Sequence, residues 1–438
     1  MNLWVCFALL SLLFSCNDDD YIPTPPEVKI ECMSGDLSLA AEDTLYLKAN
    51  VISPLETTLE WKVNGESVST DSVLVFTRKE LGKYTVSLTA INADGETSAL
   101  ASVEVYGKYK HGTFVLSEGT WGQGGRLLFI SPKGIVTDTV YRKENNGKRL
   151  GEYSQDIFIF NKKMYIVSQN GGNDGGFLTV LDAETMKQEK AYQTELKGKL
   201  SAPTHVVALS DNDIYFRCNK GITRFNPTTG ETALIKGSNG VRKNTMAVVN
   251  GKIFAAKAKG VFVIEAGKDS ISTTISFEKN VSGVLRSHDK NVWVSTADGK
   301  ISKVNATDYS IIKTNETGIT SQLSAGVAAT PSITAKGDTL YASGLTTKIY
   351  RHVFSTGETT LMVDAKEMVE DAGIVYNTCA VHPKTGEVYL NTIKSYANYD
   401  TNNSISVFNF SSGEARLVAA YKNYTRYHAG TFFTYNFE

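Results

Sequence analysis

The chain has little cysteine, little histidine and no excess of charge of either sign. Five cysteines are spread over 438 residues. Cys6 and Cys16 fall near the amino terminus, and Cys32, Cys218 and Cys379 share no C-x-x-C spacing. Neither a disulfide framework nor a zinc site is expected, and the last three read as small buried apolar residues. The six histidines are scattered without metal-ligand spacing, and Asn173-Asp174 and Asp400 to Asn402 lack the pattern of a calcium loop. Lys and Arg number 45 against 46 Asp and Glu, so no global field draws the chain to nucleic acid or to an anionic membrane. The G-x-S-x-G elbow and the H-E-x-x-H helix are both missing, so no catalytic residues, metal or cofactor are assigned. Proline is sparse at 9, whereas Tyr (21) and Phe (19) are plentiful, the profile of a folded β protein.

Leu3 to Leu13 is almost wholly apolar yet too short to span a bilayer, and no Lys or Arg precedes it. It runs into Leu13-Phe14-Ser15-Cys16, which resembles a bacterial lipobox with Cys16 as the acylated residue. Residues 1–16 are therefore expected to be a lipoprotein signal peptide. Asn17-Asp18-Asp19-Asp20 resembles the surface-export signal of Bacteroidetes lipoproteins, and residues 17–26 read as an acidic, proline-rich tether. The expected location is the outer membrane, surface-exposed, with membrane contact through the lipid anchor only.

Residues 27–107 alternate with period two in short runs such as Leu45 to Ala49, Thr58 to Val63 and Tyr84 to Ala90. Asn64-Gly65 and Asp94-Gly95 supply hairpin turns. This predicts a β-sandwich. Gly82-Lys83-Tyr84-Thr85-Val86 after Trp61 resembles Ig-like PKD modules, without the cysteine pair of antibody-type domains. Such a module is expected to be a spacer.

From residue 108 to 438 a motif recurs seven times: an aromatic on a short apolar strand, a polar or glycine-rich turn, then a second apolar strand. The aromatics are Phe114, Tyr165, Tyr215, Phe254, Trp293, Tyr341 and Tyr389. Their spacing of roughly 40 to 50 residues is that of propeller blades. The fold class is thus all-β: an Ig-like sandwich followed by a seven-bladed β-propeller. Further apolar strands, such as Thr204 to Leu209 and Cys379 to Val381, supply the inner strand of each blade. None is evident ahead of Phe114, but Gly430 to Tyr435 has the right pattern. The C-terminal strand is therefore expected to complete blade one and close the ring.

Three loops between the second and third strands are long: Ser117 to Gly125, Ser168 to Gly176 and Lys394 to Asn402. They belong to blades one, two and seven, neighbours once the ring closes. They carry Glu118, Trp121, Asn170, Asp174, Tyr396 and Tyr399. Connections into the inner strands add Tyr153, Gln155, Arg242 with Lys243, Tyr376 with Asn377, and Tyr427 with His428. His205 and Arg217 are expected at the channel mouth. Aromatic faces beside amides suit a neutral polar ligand such as a glycan or a corrinoid. A carboxylate pair of Glu118 with Asp174 across blades is the arrangement that hydrolysis would need.

Gly112-Thr113-Phe114-Val115-Leu116-Ser117-Glu118-Gly119 resembles the opening phrase of Bacteroidetes surface lipoproteins whose propeller is similar to YVTN-type and quinoprotein-like propellers. Ser117 stands where Asn is commoner. An Ig-like module ahead of the propeller is also typical of them. Some members capture corrinoids for TonB-dependent cobalamin transporters. The resemblance implies non-enzymatic capture of a small nutrient for such a transporter. A protein-interaction or adhesion propeller, and a hydrolase or lyase acting on glycans, are the alternatives.

Overall fold

The computed structural model describes residues 21–320, 323, 331–344 and 346–434. The signal segment, Cys16 and the acidic run of residues 17–20 lie outside them. The chain divides into two compact units between Tyr106 and Gly107.

The first unit is a two-sheet sandwich. One sheet orders Glu27–Cys32, Leu45–Ile52 and Val73–Phe76. The other orders Ser38–Ala40, Gly95–Tyr106, Gly82–Asn92, Thr58–Val63 and Glu66–Ser69. Leu45 and Leu47 are buried while Tyr46 and Lys48 are exposed, so the period-two pattern sorts the faces. Asn64 and Gly65 both adopt positive φ, as a tight hairpin turn requires. Trp61 is fully buried and donates from Nε1 to the Asp71 carbonyl at 2.8 Å, a polar anchor for the core among Phe76, Val86 and Leu88. Cys32 departs from the expected burial. It ends its strand half-buried, with Sγ 3.1 Å from the Asp36 carbonyl. Cys218 and Cys379 are buried, and burial pushes the Cys379 thiol up to about 11.

Among the described residues the second unit contains seven sheets, here blades one to seven. Blade two shows the plan: an inner strand Glu152–Phe160, then Lys163–Gly171, Leu178–Asp182 and an outer Gln188–Tyr192, all antiparallel in order. The inner strands of blades three to six are His205–Ser210, Ala247–Val249, Val281–Arg286 and Ile333–Lys336. In blade seven the inner edge is split: Ile374–Val375 and Ala380–Val381 both pair with Val388–Ile393. Blade one takes its inner strand from the C-terminal region. His428–Phe433 pairs antiparallel with Thr113–Thr120, setting Phe432 opposite Phe114 and Thr431 opposite Val115.

The recurring aromatic explains the repeat. All seven are buried at 8 % exposure or less, and each reaches the following blade. Trp293 meets Phe354 edge-on at 4.5 Å, Phe254 meets Tyr309 at 6.3 Å and Tyr341 stacks on Phe410 at 5.9 Å. Tyr165 donates to Asp211 at 3.5 Å, and the Tyr215 hydroxyl accepts the Gly267 amide at 3.2 Å. Phe114 shares a cluster with Ile157, Met164 and Ile166 of blade two. Tyr389 of blade seven meets Phe433 of blade one at 5.4 Å, so the last wedge in the ring depends on the C-terminal strand.

Deleting residues 429–438 is expected to lower the melting temperature of the propeller sharply and to broaden its transition. An unchanged melting curve by circular dichroism would show that blade one does not need this strand.

Candidate functional site

The inner strands of blades two to seven run from the connection out of the preceding blade toward their hairpin turns, and that of blade one, His428–Phe433, runs the same way from blade seven, so the first residues of all seven gather at one end of the channel. This end is polar. Side chains and amides there bridge every junction. Gly125 donates to the Gly151 carbonyl at 3.0 Å, the Val206 amide to Asp156 Oδ2 at 3.2 Å and Arg217 Nε to the Arg242 carbonyl at 3.1 Å. Asn244 Nδ2 donates to Ser282 O at 3.0 Å, Ser295 and Ser332 share a hydroxyl bond at 3.0 Å, and Thr378 Oγ1 donates to Pro331 O at 2.6 Å. Asn377 Nδ2 donates to Ala429 O at 2.9 Å, joining blade seven to blade one.

Glu118 is the centre of this end. Gly119, at φ +76°, turns the backbone so close to Gly124 that a Cβ would lie 1.8 Å from its carbonyl oxygen, so only glycine fits after Glu118. The Glu118 amide donates to Tyr427 O at 2.8 Å, and its carboxylate accepts from the Tyr376 hydroxyl at 3.3 Å and from the Gln155 side chain. Burial pushes the carboxyl up from its ordinary value, against the pull of Lys243, Gln155 and Tyr376. Lys243 is pushed the other way by its own burial, with Glu118 opposing and Arg217 adding to the shift. Arg217 is 8 % exposed, bonded to the carbonyls of Val241 and Arg242 and to oxygens of Thr204 and Asn219, and its burial lowers its pKa. Beside Glu118, Tyr376 lies 5.2 Å from Tyr427, which stacks on Tyr399 at 4.0 Å. Tyr396 approaches Tyr376 edge-on at 6.4 Å.

Among the described residues, three buried polar atoms at this end have no hydrogen-bond partner: Gln155 Oε1, Asn244 Oδ1 and His428 Nδ1. Gln155 touches Glu118, Asn244 follows Lys243, and His428 follows Tyr427. His428 Nε2 is 3.0 Å from Thr431 Oγ1, and burial holds its ring down at about 3, so it is neutral near pH 7. Tyr153 and Tyr427 adopt left-handed φ of 55° and 54°, an uncommon conformation for bulky side chains that costs energy. Their backbones are held there by the same strand starts.

The expected site residues thus divide. Glu118, Gln155, Tyr376, Tyr399, His428 and Arg217 gather at the polar end, with Tyr396 on its exposed margin and Tyr153 half-buried in the inner strand of blade two. His205 is buried against Thr204, its Nδ1 3.0 Å from the hydroxyl. Trp121 is 72 % exposed, and Asn170 and Arg242 are exposed; only the backbone of Arg242 engages Arg217. Asp174 is exposed and accepts the Arg149 amide at 2.9 Å, so it ties its loop to the segment entering the inner strand of blade two instead of pairing with Glu118. Glu118, Tyr153, Gln155, Asn170 and His428 were expected in loops but lie in strands. A register shift between Gly124 and Arg126 keeps blade one paired through Thr120, and pairing in blade two runs on to Gly171.

Sequence reasoning missed two residues here. Asp156, the one acid between Gln155 and Ile157-Phe158-Ile159-Phe160, is 5 % exposed, and burial pushes its carboxyl up to about 8. A lone charge in an apolar inner strand was the available signal. Asn244 gave none, since its strand begins only at Ala247.

The family model described as Domain of unknown function (DUF5074) matches residues 111–434, and a PKD-like domain model matches residues 25–92. Among solved structures, a quinoprotein alcohol dehydrogenase-like protein from Bacteroides thetaiotaomicron aligns at 16 % identity with a TM-score of 0.59, covering 92 % of this chain and 99 % of its own. BamB from Moraxella catarrhalis aligns at 12 % identity with a TM-score of 0.43, covering 71 % and 83 %. The WD40 β-propeller domain of Doa1 aligns at 12 % identity with a TM-score of 0.39, covering 63 % of this chain and 84 % of its own. None of the curated proteins compared with the chain matches it. The fold is that of a PKD-like sandwich followed in sequence by a β-propeller.

The Asp156 shift sets a pH dependence. The unfolded chain ionises this carboxyl near 3.8 and the folded chain near 8, so the folded state holds the extra proton between these values. Its stabilising effect is complete below the lower value and is lost as pH rises toward the upper one. Asp156→Asn keeps an acceptor for the Val206 amide and removes the titration. Melting temperatures of the two proteins should diverge in favour of Asn as pH rises through this window; parallel curves would show that Asp156 ionises normally.

Proposed function

We propose, from the premise that the chain belongs to the DUF5074 family, that its propeller is a non-enzymatic binding module whose polar channel end captures a small polar ligand. The observation that carries this is the set of buried atoms at this end without partners among the described residues: Gln155 Oε1, beside Glu118, with Asn244 Oδ1 and His428 Nδ1. Native proteins rarely leave such groups unpaired, and a ligand bearing both donors and acceptors answers them. The tyrosines beside Glu118 add ring faces at low entropic cost. A glycan or an amide-rich metabolite such as a corrinoid has this chemistry.

Hydrolysis of glycans is the weaker reading. It calls for two carboxylates flanking one bond, whereas the described neighbours of Glu118 are Gln155, Lys243, Tyr376 and the Tyr427 backbone. With the lipobox-like Leu13-Phe14-Ser15-Cys16, capture is assigned to the cell surface, for delivery to a TonB-dependent outer-membrane transporter. A protein-docking role is favoured by one observation: Trp121 and Tyr396, on blades that become neighbours, are 72 % and 54 % exposed, and such aromatics anchor protein interfaces.

Isothermal titration with cobalamin and a panel of glycans tests the proposal. Saturable heat with one of them, weakened roughly tenfold or more by Glu118→Gln or Tyr376→Phe, is the expected result. No heat with any, together with transporter capture abolished by Trp121→Ala and Tyr396→Ala, would replace ligand capture with protein docking.

A further inference from the structure

The opposite end of the channel has a different chemistry. Toward the far ends of the inner strands lies a cavity of about 750 Å³, within the roughly 300–1,000 Å³ usual for small-molecule sites. Residues from the inner strands of blades one, two, four, five, six and seven line it. Its walls are mostly apolar, including Ile159, Val248, Leu285, Ala335, Ala380 and Phe432. These six are only half-buried, so they present hydrocarbon to the channel. A water-filled channel needing no ligand has no reason to collect such a surface from six blades.

The charge at this cavity is one-sided. Arg286, the last residue of the inner strand of blade five, and Lys290, in the turn after it, both line it. Both are exposed, and neither makes an ion pair or a side-chain hydrogen bond among the described residues. Among the described residues, no Asp or Glu lines the cavity. An apolar chamber with two unpaired cations on one side complements a molecule with a hydrocarbon body and a single anionic head.

We propose that this end of the channel binds a monoanionic amphiphile of fatty-acid type, its chain among the inner strands and its carboxylate on Arg286 and Lys290. The site is separate from the polar end and does not depend on the reading given to it.

Titrating the purified protein with dansyl-undecanoate tests this. Saturable, blue-shifted emission displaced by dodecanoate is expected, with dodecylammonium a poor competitor. Arg286→Ala and Lys290→Ala lie at exposed positions and leave the core intact. Each should weaken the probe severalfold, and the pair together by roughly tenfold or more. Ala335→Phe, which projects a ring into the chamber, should weaken binding severalfold while retaining the strand signature by circular dichroism. The proposal is overturned if the probe does not saturate, if dodecylammonium competes equally, or if the Arg286/Lys290 double variant binds as well as the parent. It is likewise overturned if binding appears only in a chain ending at Thr434, since the following four residues would then be the occupant.

Discussion

The structure depends on one contact made seven times: the aromatic of a blade's second strand wedged against the next blade. A sheet of four short strands is marginal alone and gains its stability from burying both faces. Removing a fully buried Trp or Phe typically costs about 3–5 kcal/mol, so each wedge accounts for a large part of what a single junction contributes. The wedges also have a direction. Trp293 reaches forward to Phe354, Tyr341 to Phe410 and Tyr389 to Phe433. A chain of forward contacts becomes a ring only when the seventh finds the first, and Phe433 on the C-terminal strand is where that happens.

Closing the ring brings the starts of all the inner strands together, and their polar groups take over there from the apolar wedges. Most of these groups are satisfied across a junction, as Asn377 is by Ala429. A few are held in costly states. Glu118 and Asp156 keep carboxyls that burial pushes up, Lys243 and Arg217 keep cations that burial pushes down, and two tyrosines keep left-handed backbones. Structural staples are rarely built this way. Concentrated strain and unpaired polar atoms at one end of a scaffold are the expected mark of a site shaped for something other than stability.

Much of this is visible in the sequence, for physical reasons. The aromatics recur because every junction needs a wedge, so their spacing revealed the repeat. The lack of an inner strand before Phe114, and the spare apolar strand after His428, pointed to the closure. The extent of pairing was less visible. Glycines 119, 122, 124 and 125 read as a loop, yet a register shift lets the strands run on past Glu118. Contacts at the polar end were the hardest to read, because their partners are remote: Tyr376 and Glu118 are 258 positions apart. Asp174 seemed the natural partner for Glu118 on composition alone, but it holds the Arg149 amide ahead of the inner strand of blade two. Cys32 lost its expected burial because it ends a strand.

The central claim is that Glu118 is placed for a ligand and at some expense to the fold. Calorimetric melting of Glu118→Gln beside the parent at pH 8 addresses it without knowing the ligand. Because burial disfavours the ionised carboxyl, the neutral isostere should melt at the same temperature or higher. A melting temperature several degrees lower would contradict the account and make Glu118 a structural tie between blades.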